Sequence, residues 1–325
     1  MRAFRVIAQR LVSTLPTLLL VSLGAFVLLE SAPGDAVDAY LAQTAGDAGF
    51  AAELPERLGL SGTMLDRLAR FYVGLAQGDL GTSAVFSRPV VSVIVERLPA
   101  TLVLMSGAIS FTAFVGSLLG LLAGARPGGW RDHIVVVLTL GLLAMPNFWL
   151  ALLLVLVFGV KLAWLPTSGL QSLGAPTSGI GTVLDMAQHL ALPTLALGAG
   201  YLALYTRTLR AGMVATWTAD HVRAARARGL TERRVIWGSV ARPALLPVVA
   251  LLGQQIGTLF GGSVVTETVF GIPGLGRLTY EAVAGRDTLL LVGVVMTSTV
   301  VVIGANLLVD LILLRLDPRI GAAHG

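Results

Sequence analysis

Cysteine is absent from the 325 residues, which excludes a disulfide framework, a thiol nucleophile and a thiolate metal site. Lysine is nearly absent. Lys161 stands alone between Val160 and Leu162, so no G-x-x-x-x-G-K-[ST] phosphate loop exists in this sequence. The four histidines, His133, His189, His221 and His324, show no H-E-x-x-H or comparable spacing, so no metal site is expected here. Gly261-Gly262-Ser263 is not a G-x-S-x-G elbow, and no nucleophile and base or paired acids stand out, which argues against an enzyme. Charge is scarce as well: 13% of residues are charged, against about 25% in soluble domains. With 55% hydrophobic residues and a mean hydropathy of +0.82, the chain reads as an integral membrane protein.

Long apolar runs are abundant. The first, Leu11 to Leu29, follows Arg2, Arg5 and Arg10; it exceeds the about 7 to 15 residues of a signal-peptide core and is taken as a retained span. A second covers Thr101 to Ala123. A third covers Ile134 to Val160, broken at Pro146-Asn147, where proline frees a carbonyl and kinks the helix. The fourth runs from about Leu190 to Leu209, entered through Pro193 after a Gly, Ser and Thr rich connection over 161–189. The fifth runs from about Ala244 to Val265 and the sixth from about Leu289 to Leu314. The expected architecture is all-α: residues 1–31 form a cytoplasmic start and first span, 32–100 an extracytoplasmic region, and 101–325 a five-helix core. An amphipathic piece around Met64 to Leu75 is expected in the extracytoplasmic region.

The arginines are unevenly placed. Six of them, Arg223, Arg226, Arg228, Arg233, Arg234 and Arg242, lie in the loop 218–243 between the fourth and fifth spans. Arg2, Arg5, Arg10, Arg126, Arg131, Arg207, Arg210, Arg315 and Arg319 fall on the same side of six crossings, so the positive-inside rule puts that loop and both termini in the cytoplasm. The net charge of +5 then reflects topology rather than a nucleic-acid partner. Within the loop, Thr218 or Asp220 can cap a first helix, Gly229 can end it in a left-handed conformation, and Thr231 can cap a second. Val222, Ala225 and Gly229 share one face, and the arginines point elsewhere.

Arg223-Ala224-Ala225, then three residues, then Gly229 resembles the EAA loop of membrane subunits of binding-protein-dependent ABC importers, with arginine in place of the eponymous glutamate. Taken with Glu232-Arg233-Arg234-Val235 and Ala244-Leu245-Leu246-Pro247, it is similar to the branch importing dipeptides, oligopeptides or nickel. Pro33-Gly34-Asp35, Gly78-Asp79-Leu80-Gly81, the stretch Glu96 to Leu102, Glu267 to Phe270, Pro273-Gly274-Leu275-Gly276 and Leu316 to Arg319 extend the likeness along nearly the whole chain. Pro243 departs from it, standing where relatives often carry asparagine.

The resemblance implies a permease subunit in the prokaryotic inner membrane, surrounded by the lipid bilayer. Its implied partners are a second homologous permease, two ATPase subunits or one fused pair, and an external substrate-binding protein. ATP and Mg would be held by the ATPases, with no cofactor here. Asp220, Arg223, Ala224, Ala225, Arg226, Gly229, Leu230, Glu232 and Arg233 are the implied ATPase-coupling residues. Asp79, Phe270, Pro273 and Leu275 are implied to meet the binding protein, with a structural cap over helix ends as the alternative. Asn147, Gln254 and Gln255 are costly polar groups at membrane depth, suited to a translocation pathway or to interhelical bonding. A solvated basic loop, a helix-turn-helix and an ion-coupled transporter are the competing readings, and Asp310 is the one acid well inside a span.

Overall fold

A computed structural model describes residues 14–27, 63–172, 174 and 178–316, with side chains as far as Ile312. Arg2, Arg5, Arg10, the Pro33-Gly34-Asp35 turn and Asp317-Pro318-Arg319 lie outside the described residues. The described chain is helical: α1 (Thr14–Val27), α2 (Met64–Gln77), α3 (Val90–Ala125), α4 (Trp130–Ala144), α5 (Asn147–Lys161), α6 (Ile180–Trp217), α7 (Asp220–Ala227), α8 (Glu232–Val269), α9 (Leu275–Ala284) and α10 (Thr288–Leu316). The end of α5 and residues Val235–Ala241 of α8 are π-helical. A bridge between Thr82 and Pro89 is the extended pairing among the described residues.

Among the described residues, three helices combine the length and apolarity of a membrane span: α3, α8, and α10 over Thr288–Ile312. The α4–α5 pair, bent by 102°, supplies a fourth if it is counted as one broken span. Proline explains the bend, because Pro146 cannot donate within the helix and disfavours helical geometry at Met145, which is extended (φ −84°, ψ 129°). α6 is longer than the expected fourth span: it begins at Ile180 within the expected connection and holds Pro193 in its interior rather than at its entrance.

The chain divides into two compact units. One comprises Met1–Thr101 with Pro273–Gly304. Within it α2 is bounded by a capping box, Thr63 Oγ1 accepting from Asp66 N–H at 3.3 Å and Asp66 accepting from Thr63 N–H at 3.0 Å, and by left-handed Gly78 (φ +75°). The Thr63 hydroxyl and then its amide hold the Asp66 carboxyl below the usual range, so this cap persists at neutral pH and is lost as pH falls through that lowered pKa. Phe71 and Leu75 of α2 pack against Ala25, Val292 and Met296, and the hydroxyls of Ser22 and Tyr72 meet at 3.0 Å.

Asp287 organises the loop before α3. Its carboxylate accepts from Ser83 Oγ (2.5 Å) and Val85 N–H (3.0 Å), and caps α10 by accepting from Leu290 N–H (3.0 Å). Asp287 is 2% exposed, so this loop is bolted to the last helix through a buried group. Asp287 is not among the residues singled out from the sequence, although an Asp shortly before an apolar run is an N-cap signal.

The second unit comprises Leu102–Ile272 with Ala305–Gly325, and α6 runs through its centre. Its contact with α3 is a ladder of glycines. A Cβ on Gly116 would stand 2.7 Å from Tyr205 Cβ, one on Gly120 2.9 Å from Leu209 Cβ, and one on Gly124 2.8 Å from Met213 Sδ. Small residues let helices approach where lipid gives no hydrophobic drive. The close approach also allows backbone contacts: Thr206 Oγ1 donates to Gly116 O (3.2 Å), Thr112 Oγ1 to Gly198 O (3.2 Å) and Trp217 Nε1 to Gly124 O (2.9 Å).

Candidate functional site

The basic stretch forms α7, set between α6 and α8. α6 ends only at Trp217, and Thr218 turns its hydroxyl back to Ala215 O (3.1 Å). Ala219 therefore occupies the N-cap of α7 without a side-chain bond, so neither Thr218 nor Asp220 caps it. Asp220 instead sits in the first turn, where its charge suits the helix dipole, 3.6 Å from Arg223. Thr231 is at the start of the following helix but makes no capping bond. That helix is not a separate short one; it continues from Glu232 into the fifth apolar run.

Two side chains seat α7. Val222 and Ala225 are fully buried in a cluster with Tyr205, Leu209 and Met213 of α6 and Val235, Val240, Ala244 and Val248 of α8. The rest of α7 faces outward: Asp220, Arg223, Ala224 and Arg226 are exposed, as are Gly229, Leu230, Glu232 and Arg233 after it. Gly229 has φ +74°, its N–H donates to Arg226 O (2.9 Å), and Leu230 N–H donates to Ala225 O (3.3 Å). This pair of bonds is a Schellman closure, which satisfies the last carbonyls and needs a residue free to adopt a left-handed φ. Arg226 closes the turn from outside. Its guanidinium meets the Glu232 carboxylate at 2.9 and 3.3 Å and lies 4.9 Å from the Trp217 ring centre. His221 Nε2 lies 3.0 Å from Ser239 O. The implied coupling residues are thus brought together on one rigidly seated, solvent-facing knuckle.

The implied pathway residues are not brought together in the same way. Asn147, at the apex of the bend, lies where a Cβ on Gly200 of α6 would meet its Oδ1 at 3.0 Å and one on Gly262 of α8 its Nδ2 at 4.0 Å. Gln254 is exposed. Gln255 is 3% exposed, and its amide has no hydrogen-bond partner among the described residues. Of the implied binding-protein contacts, Asp79 is exposed and accepts from Gly81 N–H (2.9 Å), and Pro273 is half-buried. Phe270 and Leu275 are buried, Leu275 N–H donating to Thr101 Oγ1 at 2.7 Å.

A second built feature escaped the sequence reading. Residues 162–172 form a strap tied at three places. Trp164 and Leu165 N–H donate to Phe158 O, Gly169 N–H donates to Phe270 O (2.8 Å), and Ser172 N–H and Oγ donate to Asp185 at 2.8 and 2.7 Å. Thr167 covers Gly159. Asp185 is the anchor, so in the naturally cysteine-free chain a Thr167→Cys residue should react faster with a maleimide when Asp185→Ala is added. Equal labelling rates would show that the carboxylate does not hold the strap.

The described residues thus combine helices long and apolar enough to span a membrane with an exposed basic knuckle between two of the long helices. Residues 116–322 match the family described as binding-protein-dependent transport system inner membrane component, and the chain belongs to that family. It is 35% identical to the di/tripeptide transport system permease protein DppB of Pseudomonas aeruginosa, over 97% of this chain and 98% of that protein. It is 33% identical to the oligopeptide transport system permease protein AppB of Bacillus subtilis over 97% and 98%, and 35% identical to the glutathione transport system permease protein GsiC of Pectobacterium atrosepticum over 96% and 97%. A solved structure of the MetNI methionine ABC transporter in inward-facing conformations has the same fold, with a TM-score of 0.56 at 18% identity, covering 69% of this chain and 96% of that one.

Proposed function

We propose that the chain is one of two permease subunits lining the pathway of an ATP-driven importer of di- and oligopeptides, and that α7 is its coupling helix to a partner ATPase. The observation that carries the coupling role is the seating of α7. Val222 and Ala225 are fully buried between α6 and α8 while the arginines stay outside, so force on the knuckle is delivered to two long helices rather than absorbed by a loop. Close packing transmits displacement because interiors have little void to yield into.

ATP and Mg belong to the ATPase partners, since the phosphate loop is absent here. Six crossings, with the bent pair counted as the third and α6 as the fourth, keep the basic loop and both termini in the cytoplasm. A second permease and an external binding protein complete the assembly, with Asp79 and Pro273 the accessible members of the outer set. Peptides as substrate rest on the near full-length likeness to peptide permeases. Glutathione, itself a short peptide, is the second reading, favoured by the equal identity to the glutathione permease. Nickel chelates and haem follow.

The test is uptake of labelled dipeptide and labelled glutathione by cells lacking the chain, then supplied with wild type or Gly229→Val. Open space surrounds Gly229, so the damage is confined to φ, where a left-handed non-glycine residue costs about 1–2 kcal/mol. The variant should insert normally, with the closed knuckle disfavoured roughly tenfold against the open one, the factor that about 1.4 kcal/mol represents, and with uptake reduced. It should also retain less ATPase on purification. Wild-type uptake with full ATPase retention would sink the coupling role, and unchanged uptake of both probes in the deletion strain would remove peptides as substrate.

A further inference from the structure

We infer that the ion pair between Asp132 and Arg210 is the positioning contact through which the bent span follows the coupling helix, an inference that rests on the coupling role proposed for α7. Asp132 lies in the first turn of α4 and is 3% exposed. Its Oδ1 accepts from Arg210 Nε at 2.5 Å and its Oδ2 from Arg210 Nη2 at 2.7 Å, a two-pronged match of planar fork to carboxylate. Oδ2 also accepts from Gly128 N–H at 2.8 Å, closing the turn that leads into α4. One buried carboxylate therefore fixes both the entry of α4 and its attachment to α6.

The position of Arg210 gives the pair its use. Its neighbours on α6, Leu209 and Met213, belong to the cluster that buries Val222 and Ala225 of α7. The seat of the coupling helix and the ion pair thus occupy adjoining faces of the same two turns of α6. On the other side, α4 is buried along one narrow stripe, Asp132, Val135 and Thr139, while Trp130, Ile134, Val137 and Leu138 are exposed. The Thr139 hydroxyl is turned to its own helix, donating to Val135 O at 2.8 Å. Val135 and Thr139 supply packing, which slides and rotates at low cost. The Asp132 fork is the directional contact of that stripe, and it fixes axial register and rotation together.

This separates a positioning role from mere stabilisation. Asp132 is buried and Arg210 one-third exposed; replacing a buried pair by apolar residues of similar size is often neutral for stability, and the partial exposure of Arg210 lessens the cost on its side. Asp132→Leu with Arg210→Met therefore keeps the fold and deletes the directional contact, and Asp132→Asn weakens it with minimal change of shape. Each variant would be assembled with its partner permease, ATPases and binding protein in proteoliposomes. ATP hydrolysis and uptake of whichever probe the wild type imports, labelled dipeptide or glutathione, would be measured on the same samples.

The expected result for both variants is hydrolysis still stimulated by loaded binding protein while uptake per ATP falls by about 5–150-fold, the span of typical coupling between linked sites. The exchanged pair, Asp132→Arg with Arg210→Asp, should recover part of that ratio. A wild-type ratio of uptake to hydrolysis in the Leu/Met variant overturns the inference, as does a parallel loss of both activities in every variant. Failure of the underlying coupling role is read separately, from the Gly229→Val chain retaining its ATPase.

Discussion

With Val222→Asp, cells should make full-length protein that no longer supports uptake, and the knuckle around α7 should open to protease while the spans stay protected. Val222 is fully buried, and the cluster around it is apolar apart from the Tyr205 hydroxyl. A carboxylate there has to leave the cluster or remain charged without a cation, and a stranded buried charge costs about 3–5 kcal/mol. Leaving is the cheaper course because α7 is an eight-residue helix with only Val222 and Ala225 buried and its polar ties at the exposed surface, so the helix detaches rather than the whole unit unfolding. Ala224→Asp is the control: the same charge two residues away lies on the exposed face, where substitutions usually stay within about 0.5 kcal/mol. Limited proteolysis of both variants in membranes decides the matter. Identical cutting rates within residues 218–231 would mean that Val222 does not seat the helix.

Gly120→Leu should be more damaging still, because it attacks the contact between α3 and α6. The first added carbon already stands 2.9 Å from both Leu209 Cβ and Thr206 O, and the latter is backbone that cannot rotate away. Overfilling a packed site costs about 1–3 kcal/mol and more when the obstacle is rigid, so the helices have to separate and give up the flanking glycine contacts as well. Little protein should then survive detergent extraction and mild heating. Gly141→Leu makes the same change on α4 where a Cβ meets nothing within 4 Å, and it should extract and survive like wild type. Equal survival of the two variants would refute the ladder as a required contact.

Much of the proposed coupling site was legible because its information is local. The face formed by Val222 and Ala225 follows from helical spacing, and a glycine after an alanine-rich turn announces a left-handed closure; both are found. The caps were misread because α6 continues to Trp217 and takes Thr218 for its own last turn. The length of α6 was missed for a related reason. Its polar start around Asp185 resembles a loop in sequence and is stabilised by Ser172, thirteen positions earlier. Asp132 had nothing beside it to mark it, since its partner lies 78 positions later. Whole-chain composition identified the membrane class correctly because hydropathy is additive, whereas ion pairs and glycine ladders depend on which helices meet.

The bend at Pro146 has a further consequence in lengths. Each arm has 15 residues, about 20–22 Å at about 1.5 Å per residue, so neither alone crosses a hydrocarbon layer of about 30 Å. Folded by 102°, the two arms form a chevron whose tips are about 27 Å apart at that rise, close to the full thickness. Counted as one span, as in the proposed six-crossing topology, the chevron would cross tip to tip, with its apex set sideways at mid-depth. The side chain delivered there is Asn147, beside two glycines that leave room for it. A straight helix of the same sequence would carry that amide along its flank; the proline turns it into the foremost point of a wedge.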